Sequence, residues 1–466
     1  MRTARLAVLV LFAALMVRPV YAQPASSMYA DAARQLIDAA LADSVAYDRM
    51  AYMGDRFGHR LSGSQALEDA IDWILEEMRG DGLTGVRGQP VMVPAWIRGD
   101  ESVTLITERG ELPLTMLGLG GSAATPPEGI EAPVLVVRSF GELEARAGEA
   151  EGKIVLFNVP FTSYGRTVQY RVTGASAAAR AGAVASLIRS VGPESMDTPH
   201  TGTMRYEEGV RRIPHAALTL EGAEMLQRMQ DRGETPVVRL YMESHFEADR
   251  LSRNVIGEVR GREFPDEVVV LGGHIDSWDV GTGMMDDAGG CMIAWEAVRL
   301  LNELGLRPRR TVRVVMWTNE ENGLRGAEVY RDSVGADIGN VQLAIESDSG
   351  VFEPIGFGFS GAPGGFEMLK SAVDPLILPL LAEIEGRQRG ITRGGGGADI
   401  GPMMRDGVPG MSVNTDNGRY FWYHHTPADT ADKLDPGHLS RATAALAVLA
   451  YVAAEMPERL PHGSPE

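Results

Sequence analysis

Between Val268 and Glu321 the sequence holds two short apolar runs separated by one helical segment. It reads VVVLGGHIDSWDVGTGMMDDAGG, then a helix-like stretch, then TVRVVMWTNEE. Short, continuously apolar runs read as strands buried on both faces, and strands alternating with helices join in parallel. This commits that part of the chain to an open α/β sheet, where ligand sites form beyond the carboxyl ends of strands. The first run ends at His274 and Asp276, the second at Glu320 and Glu321, and Asp286-Asp287 precedes the intervening helix. Metal-ligating residue types therefore stand at two strand ends and beside them.

The same alternation continues from Asn254 to the C-terminus. Strands are expected at Val268 to Leu271, Val312 to Trp317, Leu343 to Ile345 and Met411 to Val413, with helices at Met292 to Leu304, Gly326 to Ser333 and Phe366 to Ala372. A last helix, Leu439 to Ala454, follows Pro436, which suits a helix first turn. Near the start, helices are expected at Ala32 to Leu41 and Val45 to Met53. A third, capped by Ser64 and ending near Gly80, buries Leu67, Ile71, Ile74 and Met78 at helical spacing. From about residue 97 to 248 the pattern changes to short β runs broken by Gly and Pro, with helices at Ala175 to Ala181 and Glu221 to Met229. This region reads as an inserted domain. The expected organisation is thus a signal peptide at 1–22, a discontinuous catalytic domain at 23–96 and 249–466, and an insert at 97–248.

The leader rests on Arg2 and Arg5, an apolar core from Leu6 to Val17, and the small-x-small triplet Val20-Tyr21-Ala22. A secreted or periplasmic destination follows, with no membrane span in the mature chain. The net charge of -19 offers no positive surface for phosphates, so nucleic acid is not an expected partner. Cys291 is the only cysteine, which excludes an intrachain disulfide. It lies at an apolar helix start and reads as a small hydrophobe. No Walker-type Gly-Lys-Ser/Thr and no Gly-x-Ser-x-Gly elbow is present.

Among the ligand candidates, His274 alone would pass for an ordinary polar residue. Asp276, two positions on along an extended chain, could accept its second ring proton and fix the tautomer. Asp286 and Asp287 could cap the following helix. One of them, assigned here as Asp286, could instead stand between two cations about 3.5–4 Å apart. Neighbouring side chains at a strand end point different ways, so of Glu320 and Glu321 one can bind metal while the other takes a proton from water. Asp348 follows another apolar strand, with Glu346 as its rival. Of His424 and His425, metal binding alone does not select one. Histidine and carboxylates without thiolate suit zinc, with manganese or cobalt as substitutes.

The order His274-x-Asp276, Asp286-Asp287, Glu320-Glu321, Asp348, His425 resembles the co-catalytic zinc peptidases, the family of bacterial leucyl aminopeptidases and glutamate carboxypeptidase. The strings LGLRPRRTVRVVMWTNEENG, ESDSGVF and YFWYHHTPADT are most similar to its carboxypeptidase Q branch. The resemblance implies an α/β fold with a mixed, mostly parallel sheet flanked by helices and an inserted β-rich protease-associated domain. It implies two Zn2+ ions, with His274 and Asp348 on one, Glu321 and His425 on the other, and Asp286 bridging. Glu320 would be the general base and Asp276 the orienter of His274. In this family the peptide after the bridging aspartate is often cis. A tyrosine precedes the last histidine ligand in glutamate carboxypeptidase. Here His424 fills that slot and would donate a hydrogen bond to the oxyanion. Dipeptides or short peptides with unblocked termini are the implied substrates, and a homodimer the implied assembly. The competing readings are an aminopeptidase on longer peptides and an inactive binding protein on the same fold. Against the latter, every ligand position is filled.

Overall fold

A computed structural model describes residues 25–464, so the leader read at residues 1–22 lies outside the described residues. Three helices come first: α1 (Ala30–Ala42), α2 (Val45–Phe57) and α3 (Gln65–Gly80). Ser64 caps α3 by accepting from Leu67 N at 3.2 Å, and Leu67, Ile71, Ile74 and Met78 are buried as their spacing requires. Strand β1 (Thr84–Val93) follows. After the second body described below come β2 (Arg250–Val259), β3 (Phe264–His274), α4 (Gly289–Glu303), β4 (Arg310–Trp317), α5 (Arg325–Val334) and β5 (Val341–Glu346). The chain ends with β6 (Pro354–Ser360), α6 (Gly365–Ile377), β7 (Gly390–Arg393), β8 (Gly410–Thr415) and α7 (Pro436–Glu455).

These strands form one eight-stranded sheet in the order β1-β2-β4-β3-β5-β8-β6-β7. Its centre, β4-β3-β5-β8, is parallel. β1 and β2 run antiparallel on one side, and β6 reverses against β8 on the other. Successive side chains of a strand face opposite sides, and the core divides accordingly. Val269 and Leu271 of β3 pack with Ile293, Trp295 and Val298 of α4. Val268 and Val270 pack with Ala327 and Tyr330 of α5. Burial on both faces is what the unbroken apolar runs require.

A second eight-stranded sheet is built from strands between Glu101 and Met242. Ile130–Val137, Ile154–Phe157, Ala185–Arg189 and His215–Leu218 pair in parallel in that order. Helices Tyr164–Arg180 and Leu220–Asp231 accompany them in this body, where helices are expected at Ala175 to Ala181 and Glu221 to Met229. Its longer helix starts eleven residues before the Ala-rich segment that announces it in the sequence. The chain enters and leaves through a two-stranded ribbon, Trp96–Ile97 against His245–Phe246. Arg98 beyond it donates to Asp279 Oδ2 (2.8 Å) and to Gly118 O (2.6 Å), tying the two bodies together.

Candidate metal centre

The parallel centre of the main sheet places the carboxyl ends of β3, β4, β5 and β8 along one edge, where such folds bind ligands. β3 ends at His274, Glu320 and Glu321 follow β4, and Asp348 follows β5. The buried turn Met284–Ala288 before α4 carries Asp286, and the loop after β8 carries His424 and His425. The sequence-read residues converge. His274 Nε2 lies 3.2 Å from Asp286 Oδ1 and 3.7 Å from Asp348 Oδ1. On the other side, His425 Nε2 lies 3.2 Å from Asp286 Oδ2 and 3.0 Å from Glu321 Oε2. Asp286 thus turns one oxygen toward each group. His424 Nε2 also stands 3.5 Å from Asp286 Oδ2, with its ring stacked on that of His425 at 3.5 Å between centroids. Glu346 faces elsewhere, accepting from Ile400 N at 2.8 Å. The Asp286–Asp287 peptide is cis.

Three further buried carboxylates hold the backbone of these turns, and here two expectations need correction. His274 meets Asp276 through its backbone carbonyl rather than its carboxylate. The Nδ1–H of His274 donates to Asp276 O at 2.9 Å, while the nearer carboxylate oxygen is 3.9 Å away. A carbonyl only accepts, so Nδ1 carries a proton and Nε2 is the nitrogen turned to the centre. The Asp276 carboxylate is occupied by Glu320 N (3.1 Å), Glu321 N (3.3 Å) and Ser62 Oγ (3.1 Å). The capping role open to Asp286 and Asp287 falls to neither. Asp287 Oδ2 accepts from His274 N at 3.2 Å, and the turn's first three N–H groups go to Asp429.

Burial opposes the charge on Asp286, yet His424, His274 and His425 together hold it well below the usual carboxylate range. Burial pushes Glu320 well up, with the charges of Asp348 and Glu321 adding to the rise. Glu321 is raised by burial too. Burial opposes protonation of His425, but Glu321 and Asp286 raise it overall. Glu321 and His425 thus hold their protons more tightly, and a divalent cation competes for the same lone pairs.

A cavity of about 380 Å³ opens onto this cluster, lined by Asp286, Glu320, Glu321, Asp348, His424 and His425. The second body also lines it, with Tyr164, Arg171 and Thr203. Sequence reading found no site residue between 97 and 248, so these were missed. Arg171 is buried; it donates to Tyr164 Oη (2.8 Å) and Thr201 O (3.3 Å) and lies 3.4 Å from His425 Nδ1. A lone arginine on a polar helix face gives no sequence signal of such a position. Thr201 N also donates to His425 O at 3.0 Å, so the second body holds the histidine loop directly.

The donor set fits divalent cations. It offers two imidazoles and three carboxylates, the hard or borderline ligands zinc accepts. Asp286 Oδ2, fully buried, has no hydrogen-bond partner among the described residues. His274, Asp286 and Glu321 each offer a ligand atom within 4.8 Å of the others.

Residues 254–450 match the profile of peptidase family M28. Carboxypeptidase Q of Xenopus laevis is 45% identical over 439 residues, which cover 93% of this chain and 92% of that protein. The human carboxypeptidase Q is 44% identical over 434 residues, 92% of this chain and 90% of its own. A crystal structure of a peptidase M28 precursor from Shewanella amazonensis SB2B superposes with a TM-score of 0.89 at 34% identity, covering 95% of this chain and all of that one. With a convergent ligand cluster at the carboxyl edge and relatives of this length and identity, the chain belongs to peptidase family M28, as a metallo-exopeptidase.

Proposed function

We propose that the chain is a di-zinc peptidase hydrolysing dipeptides or short peptides with unblocked termini. One observation carries this reading: the Asp286 carboxylate lies between two ligand groups, with one oxygen 3.2 Å from His274 Nε2 and the other 3.2 Å from His425 Nε2. His274 and Asp348 would hold one ion, Glu321 and His425 the other, with Asp286 shared. Bound there, the ions would supply Lewis acidity and lower the pKa of water. Glu320 is the base. Its carboxylate lines the cavity, its N–H is fixed by Asp276, and burial raises its proton affinity. It takes the proton of the attacking water and hands it to the leaving amine. His424 donates to the scissile carbonyl oxygen as that oxygen gains charge. Arg171 puts a cation in the cavity wall, which favours a free substrate carboxylate over an amide. Residues 97–248 act as an inserted domain of protease-associated type that completes the cleft. Export through the leader and assembly as a homodimer belong to the same reading.

The test is hydrolysis of a matched panel with and without chelator: a free dipeptide, an N-blocked one and a C-amidated one. Chelator-sensitive cleavage of the free dipeptide, with loss on amidation, is expected. Unimpaired cleavage of amidated peptides would instead favour the aminopeptidase reading.

A further inference from the structure

The turn that carries Asp286 has no cap of its own. Gly283 precedes it at φ 59°, and neither this turn nor α4 takes a side-chain hydrogen bond from its own N-cap residue. Its first three N–H groups converge on one remote carboxylate. Asp429 Oδ1 accepts from Met284 N (3.0 Å) and Met285 N (2.9 Å), and Oδ2 accepts from Asp286 N (3.2 Å). Asp429 is buried, and its own carbonyl accepts from Thr282 N (2.8 Å) and Thr282 Oγ1 (3.2 Å). It sits four residues after His425, in the same loop.

Aspartates just before a helix ordinarily spend their oxygens on its first N–H groups. A carboxylate shared by two cations needs both oxygens free of such donors. Here the donors are taken by a different acid, one that rides on the loop carrying His425. We infer that Asp429 is a positioning residue for Asp286: it fixes the turn so that Oδ1 faces His274 and Oδ2 faces His425, and it makes the two cation positions interdependent. This rests on the two-metal reading above. Both Asp429 oxygens accept, so an amide cannot replace it. In Asp429→Asn the NH2 group would confront a backbone N–H on one side.

The test compares metal-stripped wild type, D429N and T219A by zinc titration against a chromophoric chelator, with far-UV circular dichroism of the stripped proteins. Thr219 caps the helix Leu220–Asp231 through Gly222 N, so T219A loses a cap away from the centre. Wild type and T219A are expected to bind two equivalents alike. D429N is expected to lose about ten- to a hundredfold in affinity, as for other groups that orient metal ligands, with its secondary structure kept. Wild-type affinities in D429N, or an equal loss in T219A, would overturn the assignment. Fewer than two equivalents in the wild type would sink the two-metal reading and this assignment with it. Should D429N fail to fold, Thr282→Val loosens the same segment by one hydrogen bond. A severalfold weakening there is expected, and unchanged affinities would overturn the inference.

Discussion

Glu320 and Glu321 are adjacent, carry the same side chain and are pinned by the same aspartate, yet their carboxylates meet different surroundings. Glu321 lies 3.0 Å from His425, whereas the Glu320 carboxylate makes no side-chain hydrogen bond or ion pair among the described residues and faces the cavity. In the proposed reading that difference separates ligand from base. Glu320→Gln is therefore expected to keep its zinc and its KM while kcat falls about 10²- to 10⁴-fold, the range for a positioned general base. Steady-state kinetics with metal analysis checks this, and near wild-type kcat with zinc retained would contradict it. At this scale the sequence was informative because ligand chemistry needs particular side chains, and His274, Asp286, Glu321, Asp348 and His425 do stand together. The partners of Asp276 were not legible, since they depend on where backbone N–H and C=O groups point. For the same reason Asp429 passed unnoticed in HHTPAD: nothing local says that its acceptors serve a turn 143 residues away.

Strands with unbroken apolar runs were readable, and so was the capped helix α3. β6 (sequence PIGFGFS) and β7 were not, because glycine breaks the apolar run of the first and the second is only the four residues GITR. The start of the helix Tyr164–Arg180 was missed because its first turns are polar, and with it went Tyr164 and Arg171. One close approach shows how the two bodies are fitted. A Cβ on Gly120 would fall 2.0 Å from the ring of Trp278, a buried side chain 5.7 Å from the His425 ring and beside Trp96. Gly120→Ala forces that ring to move. Overpacking of this kind costs about 1–3 kcal/mol. The expected outcome is a lowered urea midpoint together with a reduced kcat/KM, because the displaced indole borders His425. An unchanged midpoint and unchanged kinetics would show that the contact does not position the site.

For the molecule as a whole, no helix among the described residues is long and apolar enough to cross a membrane, and two sheets with buried faces supply the stability. The second of them contains His215, wholly buried between Ser186 O (3.2 Å) and Tyr170 O (3.3 Å). Burial pushes its pKa down to about 4, against the partial pull of the two carbonyls. A depressed folded-state value means that the unfolded chain takes up the proton first. The stability contribution is complete above about pH 6.5 and is lost as pH falls toward about 4, on the order of 3 kcal/mol across that window. Urea unfolding from pH 7 to 4.5 should show this slope in wild type and a shallower one in His215→Gln. Parallel slopes would exclude His215 as the source. All of this serves one centre, whose defining claim is that Asp286 is shared by two cations. Anomalous diffraction at the zinc edge from crystals of the metal-loaded protein tests it most directly. Two peaks about 3.5–4 Å apart on either side of the Asp286 carboxylate are predicted. A single peak, or peaks that leave Asp286 uncoordinated, would contradict it.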